Sequence, residues 1–277
     1  MRKDHIGNVP QETLDAIIDE LADNRAALKT CCLVSRRWVW RSRHHLFKIV
    51  RFSSLWGLKS LRNWGAVMNI NGTSLLPGRA SRRSEVAADT PAALTTSLRL
   101  SQRGDVWITP LSLVEHLDHF RSFNRIESLT LSYFSCGIFD RTSLCALFRS
   151  QIPSVRRLRL HHPSACAASL LQFISVFPNL LDTMVHAPLW VTASHRDDRP
   201  MISCTLRGEI HLSEMGKDSG PFFSLLASQN TCYEQIGLEG CTFRDFYPLQ
   251  SFVSNTGKSL RTLCIFVEGD RKSNLLH

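Results

Sequence analysis

Two histidines spaced three residues apart, His116 and His119, are the clearest candidates for chemistry in this sequence. On a helix this spacing places both imidazoles on one face, where they could supply half of a metal site. No cluster of Cys, Asp or Glu stands near them to complete it, and Glu115 and Asp118 are typical acids of a helix surface. We therefore predict that the chain has no metal site.

The sequence motifs of the common enzyme classes are also missing. The chain contains no HExxH, GxSxG, GxxxxGK[ST] or GxGxxG pattern, which are the spacings of zinc peptidases, serine hydrolases and nucleotide-binding proteins. Its nine cysteines are scattered without a CxxC pair, so neither a compact zinc site nor a redox pair is indicated. We expect reduced thiols, mostly packed as small hydrophobic side chains. The sequence predicts a non-enzymatic protein without a cofactor.

Positive charge is concentrated in the N-terminal third of the chain. Residues 24–84 contain 13 Lys or Arg and no Asp or Glu, so this segment alone exceeds the formal net charge of +9. Such a field favours an acidic partner. The first residues lack the apolar core of a secretory signal, and no apolar run approaches the roughly 18 residues of a membrane span. We expect a cytoplasmic or nuclear protein without a membrane partner.

Apolar periodicity predicts three short helices in the first fifty residues. Leu14, Ile17, Ile18 and Leu21 recur at i, i+3, i+4 and i+7 within residues 8–23, which is one stripe of an amphipathic helix. Pro10 suits the first helical position. Asn24 and Ser35 are candidate caps of two further helices, followed by an extended segment at 47–52. A unit this small cannot bury all its large apolar side chains, so some must face a partner or the rest of the chain.

Three segments of this region form a known pattern: VPQETLDAIIDEL (9–21), CLVSRRW (32–38) and HLF (45–47). Together with Leu28 they resemble an F-box of the form abundant in fungal proteins, with Val9 and Phe47 as apolar replacements for the usual Leu and Trp. The resemblance implies that residues 8–52 form a three-helix domain that docks on the Skp-type adaptor of cullin–RING ubiquitin ligases. The adaptor contacts it implies, about half of which we expect in the domain core, are Pro10, Leu14, Ile17, Ile18, Leu28, Leu33, Val34 and Trp38.

The stretch CCLVSRRWVWRSRHHLF (31–47) leaves a second class of partner open. Its arginines and tryptophans would also suit phosphate contact and base stacking. However, a DNA-reading helix keeps polar side chains on its recognition face, whereas Trp38 and Val39 continue an apolar run. We therefore favour docking to a protein over binding of nucleic acid.

The rest of the chain repeats an (apolar)-x-x-L-x-L pattern. The best copies are IESLTL (126–131), VRRLRL (155–160), YEQIGL (233–238) and LRTLCI (260–265), and weaker ones begin at 95, 180 and 207. Their fourth positions fall at 98, 129, 158, 183, 210, 236 and 263, which are 25 to 31 residues apart. Leucine-rich repeats run about 20–29 residues, each a strand followed by a helix or looser crossover. Residues 95–277 therefore resemble a divergent leucine-rich-repeat solenoid of α/β class, and another α/β fold of regular period is the alternative.

Side chains that alternate with the leucines of such a repeat face outward and suit target binding. The candidates for target contact, against the simpler interpretation of a solvated strand surface, are Arg156, Arg157, Arg159, Glu234 and Arg261. Apolar spacing predicts helices at 111–120, 169–177 and 222–229, and residues 53–94 read as a poorly defined linker with a polar loop.

These features together predict the substrate-recognition subunit of an SCF-type ubiquitin ligase, with no catalytic residue of its own. Residues 8–52 would hold the adaptor, and residues 95–277 would present an unknown target for ubiquitin-dependent degradation. The alternative is a non-ligase interaction scaffold, with nucleic acid as a partner of its basic N-terminal third.

Overall fold

The structure is a computed structural model. It describes residues 9–53, 94–101, 108, 123, 125–136, 152–190, 205–216, 219–229, 231–241 and 246–267. The predicted linker, apart from its two end residues, and the predicted helix at 111–120 with His116 and His119 lie outside these ranges.

Three helices open the chain, as the sequence predicted: α1 (Gln11–Glu20), α2 (Arg25–Val34) and α3 (Arg36–Lys48). The Asn24 side chain caps α2 by accepting a hydrogen bond from the Ala27 amide at 3.0 Å, and Ser35 caps α3 by accepting from the Arg37 amide at 3.4 Å. Pro10 differs from expectation, because it occupies the N-cap of α1 rather than the first helical position. Its carbonyl accepts the first helical bond from Leu14, a role that needs no proline amide.

The helical unit has its own small core. Ile18, Leu28 and Leu46 are buried together, and partly buried apolar side chains of Leu21, Cys32, Trp38 and Phe47 pack against them. The predicted stripe of α1 is only partly inward, because Leu14 and Ile18 are buried whereas Ile17 is 48% exposed.

Helix α3 leads directly into the sheet. The helix continues through Lys48, so the extended segment is β1 (Ile49–Phe52) and begins two residues later than the predicted 47–52. Strand β1 pairs in parallel with the strand that starts at Ser97. The helical unit is therefore followed at once by the first strand of the sheet that contains the repeats.

An eight-stranded sheet in the order β1-β2-β3-β5-β7-β9-β10-β11 fills most of the remaining described structure. Every neighbouring pair is parallel. After β1, its strands are β2 (Ser97–Ser101), β3 (Ser128–Ser132), β5 (Arg157–His161), β7 (Asp182–His186), β9 (Leu206–Ser213), β10 (Thr231–Cys241) and β11 (Thr262–Val267). This confirms the predicted α/β class with parallel strands, while the more specific description as a leucine-rich-repeat solenoid stays a prediction.

The predicted repeat positions are partners in the ladder. In register across the sheet lie Val50, Leu98, Leu129, Leu158, Thr183, Ile210, Ile236 and Leu263. Seven of these are the fourth positions of the sequence repeats, and Val50 adds a strand that the repeat pattern did not include. One repeat therefore advances the sheet by one strand, about 4.8 Å.

Short elements connect these strands on the side of the core. A second, three-stranded sheet contains β4 (Ser135–Cys136), β6 (Ser164–Ala165) and β8 (Leu189–Trp190). Helices α4 (Ala167–Ile174) and α5 (Gly220–Ser228) correspond to predicted helices, and α6 (Phe246–Thr256) was not predicted. Their buried residues join the strand leucines in one core, notably Leu170, Leu171, Phe173, Phe222, Phe223 and Phe252.

Two of the five described thiols are exceptions to the expected packing as small hydrophobic side chains. Cys31 is buried, and Cys32 and Cys166 are partly buried. In contrast, Cys232 and Cys264 are exposed. Cys232 alternates with the buried Thr231 and Tyr233, and Cys264 lies on β11, the last strand of the sheet.

Gly208 provides a test of the sheet geometry. Its φ is +88°, and a Cβ at this position would overlap the carbonyl oxygen of Leu181. We expect Gly208→Ala to lower the free energy of unfolding by at least about 2 kcal/mol, because both the left-handed backbone and the overlap are unfavourable. Gly216→Ala is the matched control, since its φ is +73° but no atom lies within 4 Å of the added Cβ. Equal losses for both variants in urea unfolding would contradict the close approach at Leu181.

Candidate protein-docking surfaces

Hydrogen bonds to Asp19, near the end of α1, join this helix to α3. Arg41 donates from Nε to Asp19 Oδ1 at 2.5 Å and from Nη2 to Oδ2 at 2.6 Å, and His45 Nε2 lies 2.7 Å from Oδ1. These hydrogen bonds, first from Arg41 and then from His45, hold the pKa of the Asp19 carboxyl well below its usual range. The two helices are therefore fixed by a bidentate ion pair.

A second set of contacts joins the other ends of these helices. Arg37 donates from Nη2 to the Val9 carbonyl at 2.8 Å and from Nε to Gln11 Oε1 at 3.2 Å, and Gln11 Nε2 donates to the Arg37 carbonyl at 3.2 Å. Since Arg37 meets the start of α1 and Arg41 meets its end, the helices run in the same direction. The start of α1 therefore lies against the start of α3.

The predicted adaptor contacts divide equally between the core and the surface. Leu14, Ile18 and Leu28 are buried, and Trp38 is partly buried against the core. Four apolar residues, which we call the apolar docking surface, remain accessible: Pro10, Ile17 at 48%, Leu33 at 87% and Val34 at 52%. The sequence pattern could not make this division, because all eight positions are apolar.

The ion pair of Asp19 gives a prediction about acid stability. A carboxyl with a lowered pKa contributes stability that is fully present above its ordinary pKa of about 3.9 and is lost as the pH falls below that value. We expect Asp19→Asn to lower the melting temperature at neutral pH, and we expect the gap from wild type to narrow as the pH falls towards about 2. Asp23→Asn, an exposed carboxylate beyond α1, is the control. Thermal melts in a pH series measure both, and a gap independent of pH would contradict the prediction.

The second candidate surface is the outer face of the sheet, opposite the core. Its side chains alternate with the buried leucines and form rows across the strands. The row between the two apolar positions, called the central row, comprises Arg51, Arg99, Thr130, Arg159, Met184, His211, Gly237 and Cys264. The row that follows, called the terminal row, comprises Ser101, Ser132, His161, His186, Ser213, Glu239 and Phe266.

All five predicted target contacts are exposed, but their settings differ. Arg157 Nη2 lies 3.9 Å from Glu127 Oε2, and Arg261 Nη1 lies 3.6 Å from Glu234 Oε2. Exposed pairs of this kind contribute little to stability, yet they partly satisfy these charges within the chain. Arg156 lies one residue before β5, so its position alternates with that of Arg157 along the chain. The structure therefore separates the predicted arginine group into different environments.

One residue expected to be exposed is not. Thr130 lies on the outer face but is buried, because its short side chain stands in register between Arg99 and Arg159 on the neighbouring strands. Sequence reasoning also missed Arg51 and Arg99 as members of the same row as Arg159. The available signal was the arginine between two apolar residues in VRF (50–52), LRL (98–100) and LRL (158–160).

The carboxyl ends of the strands share an uncommon backbone conformation. Tyr133, His162, Ala187 and Glu214 each follow a strand and have positive φ values of 58°, 50°, 47° and 50°. Each donates its amide to a carbonyl at the end of the next strand, with distances of 2.8 to 2.9 Å. Non-glycine residues in this region cost roughly 1–2 kcal/mol each. The repetition of this turn in successive repeats aligns their side chains along one edge.

Histidines cluster at this edge of the sheet. The His186 ring lies 5.7 Å from His161 and 5.4 Å from His162, between ring centroids, and its Nδ1 lies 2.8 Å from Ser213 Oγ. Burial, and then the neighbouring His186, lower the pKa of His161. Among the described residues no three His, Cys, Asp or Glu are arranged to hold a metal ion. His186 is engaged by its hydrogen-bond contact with Ser213 and by ring contacts with His161 and His162.

Comparison with known proteins adds no relative. Neither a scan against protein-family models nor a search of curated proteins finds a match to this chain. The helices in the described part of the chain are each too short or too polar to traverse a lipid bilayer.

Proposed function

We propose that this protein is the substrate-recognition subunit of an SCF-type ubiquitin ligase. The helical unit docks on a Skp-type adaptor, and the sheet presents a target protein. The observation that carries this proposal is the apolar docking surface, in which Leu33 and Val34 are 87% and 52% exposed. Large apolar side chains grouped on a small unit with its own core are typical of a protein interface.

The charge of the helical unit supports an acidic partner. Residues 24–53 contain no Asp or Glu, and the exposed side chains there include Arg25, Lys29, Arg36 and Arg43. Complementary fields raise the association rate more than the affinity. The protein itself makes and breaks no bond. It acts by proximity, since it raises the effective concentration of target lysines near the conjugating enzyme.

The hydrogen bonds of α3 favour a protein partner over nucleic acid. Two of the four arginines in RRWVWRSR (36–43) are engaged within the unit, Arg37 with Val9 and Gln11 and Arg41 with Asp19. Only Arg36 and Arg43 of these four would then be left to contact phosphates, and two such contacts give a helix little affinity for nucleic acid.

A second function is supported by one observation. Strand β1 continues α3 and forms the first edge of the sheet, so the helical unit is attached directly to the end of the repeat region. Terminal repeats need covering. In a non-ligase interaction scaffold, covering this end would be the unit's main role.

The test is a pull-down of the purified full chain with a Skp-type adaptor at low and high salt. Apolar docking predicts complex formation that persists at high salt. Complex that disappears at high salt would indicate an electrostatic encounter only. Failure of a folded chain to bind at either salt concentration would contradict the ligase proposal and favour the scaffold.

A further inference from the structure

Three arginines occupy the central row of the outer face near the first edge of the sheet. Arg51 on β1 stands in register with Arg99 on β2, and Arg159 on β5 stands in register with Thr130, which itself pairs with Arg99. We call these three residues the arginine row. Adjacent strands are about 4.8 Å apart, so Arg51 and Arg159, three strands apart, are separated by about 14 Å at the backbone.

No acidic residue occupies an outward position on the described parts of β1, β2, β3 and β5. The other outward positions on the described parts of β1, β2, β3 and β5 are Ile49, Ser97, Ser101, Ser128, Thr130, Ser132, Arg157 and His161. The nearest ion pair uses Glu127, which precedes β3 and pairs with Arg157 rather than with the arginine row. Within the described chain none of the three arginines of the row forms an ion pair, although Asp182 on the neighbouring β7 stands in register with Arg157.

Arg99 at the centre of the row is in an unfavourable position for a free guanidinium. Its Nε is buried and has no hydrogen-bond partner among the described residues. Burial, and then the charges of Arg51 and Arg159, lower the pKa of Arg99. A buried donor without a partner and like charges on neighbouring strands both oppose folding. An incoming anion would relieve both costs, which is expected of a binding surface.

We propose that the outer face over β1 to β5 binds an extended acidic peptide segment of the target. This rests on the proposed function only in assigning the surface to a target. In an extended peptide, side chains on one face are about 6.8 Å apart, so carboxylates at i and i+4 span about 13 to 14 Å. That span matches Arg51 and Arg159, and a carboxylate at i+2 lies within reach of Arg99. The neighbouring serine hydroxyls supply further donors.

The same face is poorly suited to single-stranded nucleic acid. Sequence-tolerant binding of nucleic acid combines positive charge with Phe, Tyr or Trp side chains on which bases stack. The outward positions of β1, β2, β3 and β5 in the described chain carry no such residue. Charge without a stacking surface favours an acidic peptide.

The experiment is fluorescence anisotropy with the full chain and a labelled Gly-Ser peptide that carries three glutamates at alternate positions. We expect Arg99→Gln with Arg159→Gln to weaken binding at least about tenfold, because charge-assisted hydrogen bonds are lost. The matched control, Arg125→Gln with Lys258→Gln, makes the same charge change at exposed residues outside the row. We expect its affinity to stay within about twofold of wild type, since distant surface charges are screened.

Several outcomes would overturn the inference. One is an equal loss in the control variant, which would indicate only general attraction by net charge. Another is equal binding of a peptide with glutamines in place of the glutamates. Tighter, row-dependent binding of an oligo-thymidine strand would instead indicate nucleic acid. The melting temperature of the Arg99 and Arg159 variant should not fall, because like charges are removed, so lost binding cannot be attributed to unfolding.

Adaptor binding separates this inference from the proposed function. The Arg99 and Arg159 variant should retain its adaptor in the pull-down, because the arginine row does not include the apolar docking surface. If the chain does not bind the adaptor but still binds the peptide through the arginine row, the inference stands. If the wild-type chain forms the adaptor complex but does not bind the acidic peptide, the proposed target surface is wrong.

Discussion

Leu33→Asp with Val34→Asp is expected to abolish docking on a Skp-type adaptor, with a loss of at least about 100-fold in affinity. Both side chains are largely exposed at the end of α2. In the free protein, the two carboxylates would therefore remain in water and cost little. In the complex they would lie unpaired in an apolar interface, where desolvation is expensive. Titration calorimetry with the purified adaptor measures the change.

A control for this variant uses an exposed leucine elsewhere in the chain. Leu189 is 52% exposed on β8, and Leu189→Asp should leave adaptor binding unchanged. If the α2 variant keeps its adaptor, the apolar docking surface is not the interface. If instead its melting temperature drops sharply, Leu33 and Val34 support the fold in a way that their exposure does not suggest.

Ile18→Asp is expected to unfold the helical unit while most of the sheet stays folded. Ile18 is fully buried in the small core with Leu28 and Leu46. A carboxylate there loses apolar contacts and is desolvated without a partner. Together these effects lower the free energy of unfolding by more than about 4 kcal/mol. The main core contains none of these residues, so we expect the loss to be local. Hydrogen exchange followed by mass spectrometry should show lost protection over residues 11–48 and retained protection over β5 to β10.

The neighbouring residue provides the matched control. Ile17 is 48% exposed, so Ile17→Asp should keep the helices protected while it weakens adaptor binding. If Ile18→Asp also removes protection from β5 to β10, the helical unit is an essential cap of the sheet, and the scaffold function gains support. If protection is unchanged, the assigned core of the unit is wrong.

The sequence predicted the structure best where apolar residues recur at one regular spacing. The i, i+3, i+4 spacing around Leu14 and Ile18 predicted α1, and the short polar side chains of Asn24 and Ser35 predicted where the next helices begin. In the repeats, the alternation of L-x-L predicted strands, and the regular interval predicted their parallel order. The ladder from Leu98 to Leu263 follows that interval in register.

Sequence reasoning failed where burial or proximity depends on distant segments. Leu28 and Leu33 are equally apolar and lie on the same helix, yet only packing by α1 and α3 decides that one is buried and the other exposed. Arg51, Arg99 and Arg159 come from strands that are far apart in the sequence and meet only through strand pairing. The alternation of the strand predicted an exposed Thr130. It could not show that the long side chains of Arg99 and Arg159 stand on either side of it.

The constant register across the sheet has a practical consequence for protein engineering. Repeat length varies between 25 and 31 residues, yet the same positions still pair, so changes of length are absorbed between the strands and in the register shifts of β10. Each outward side chain can therefore be replaced without shifting the leucines behind it. A combinatorial library at Arg99, Thr130 and Arg159 would alter the chemistry of three adjoining strands at once. Selection from such a library could retarget the scaffold while its backbone stays the same.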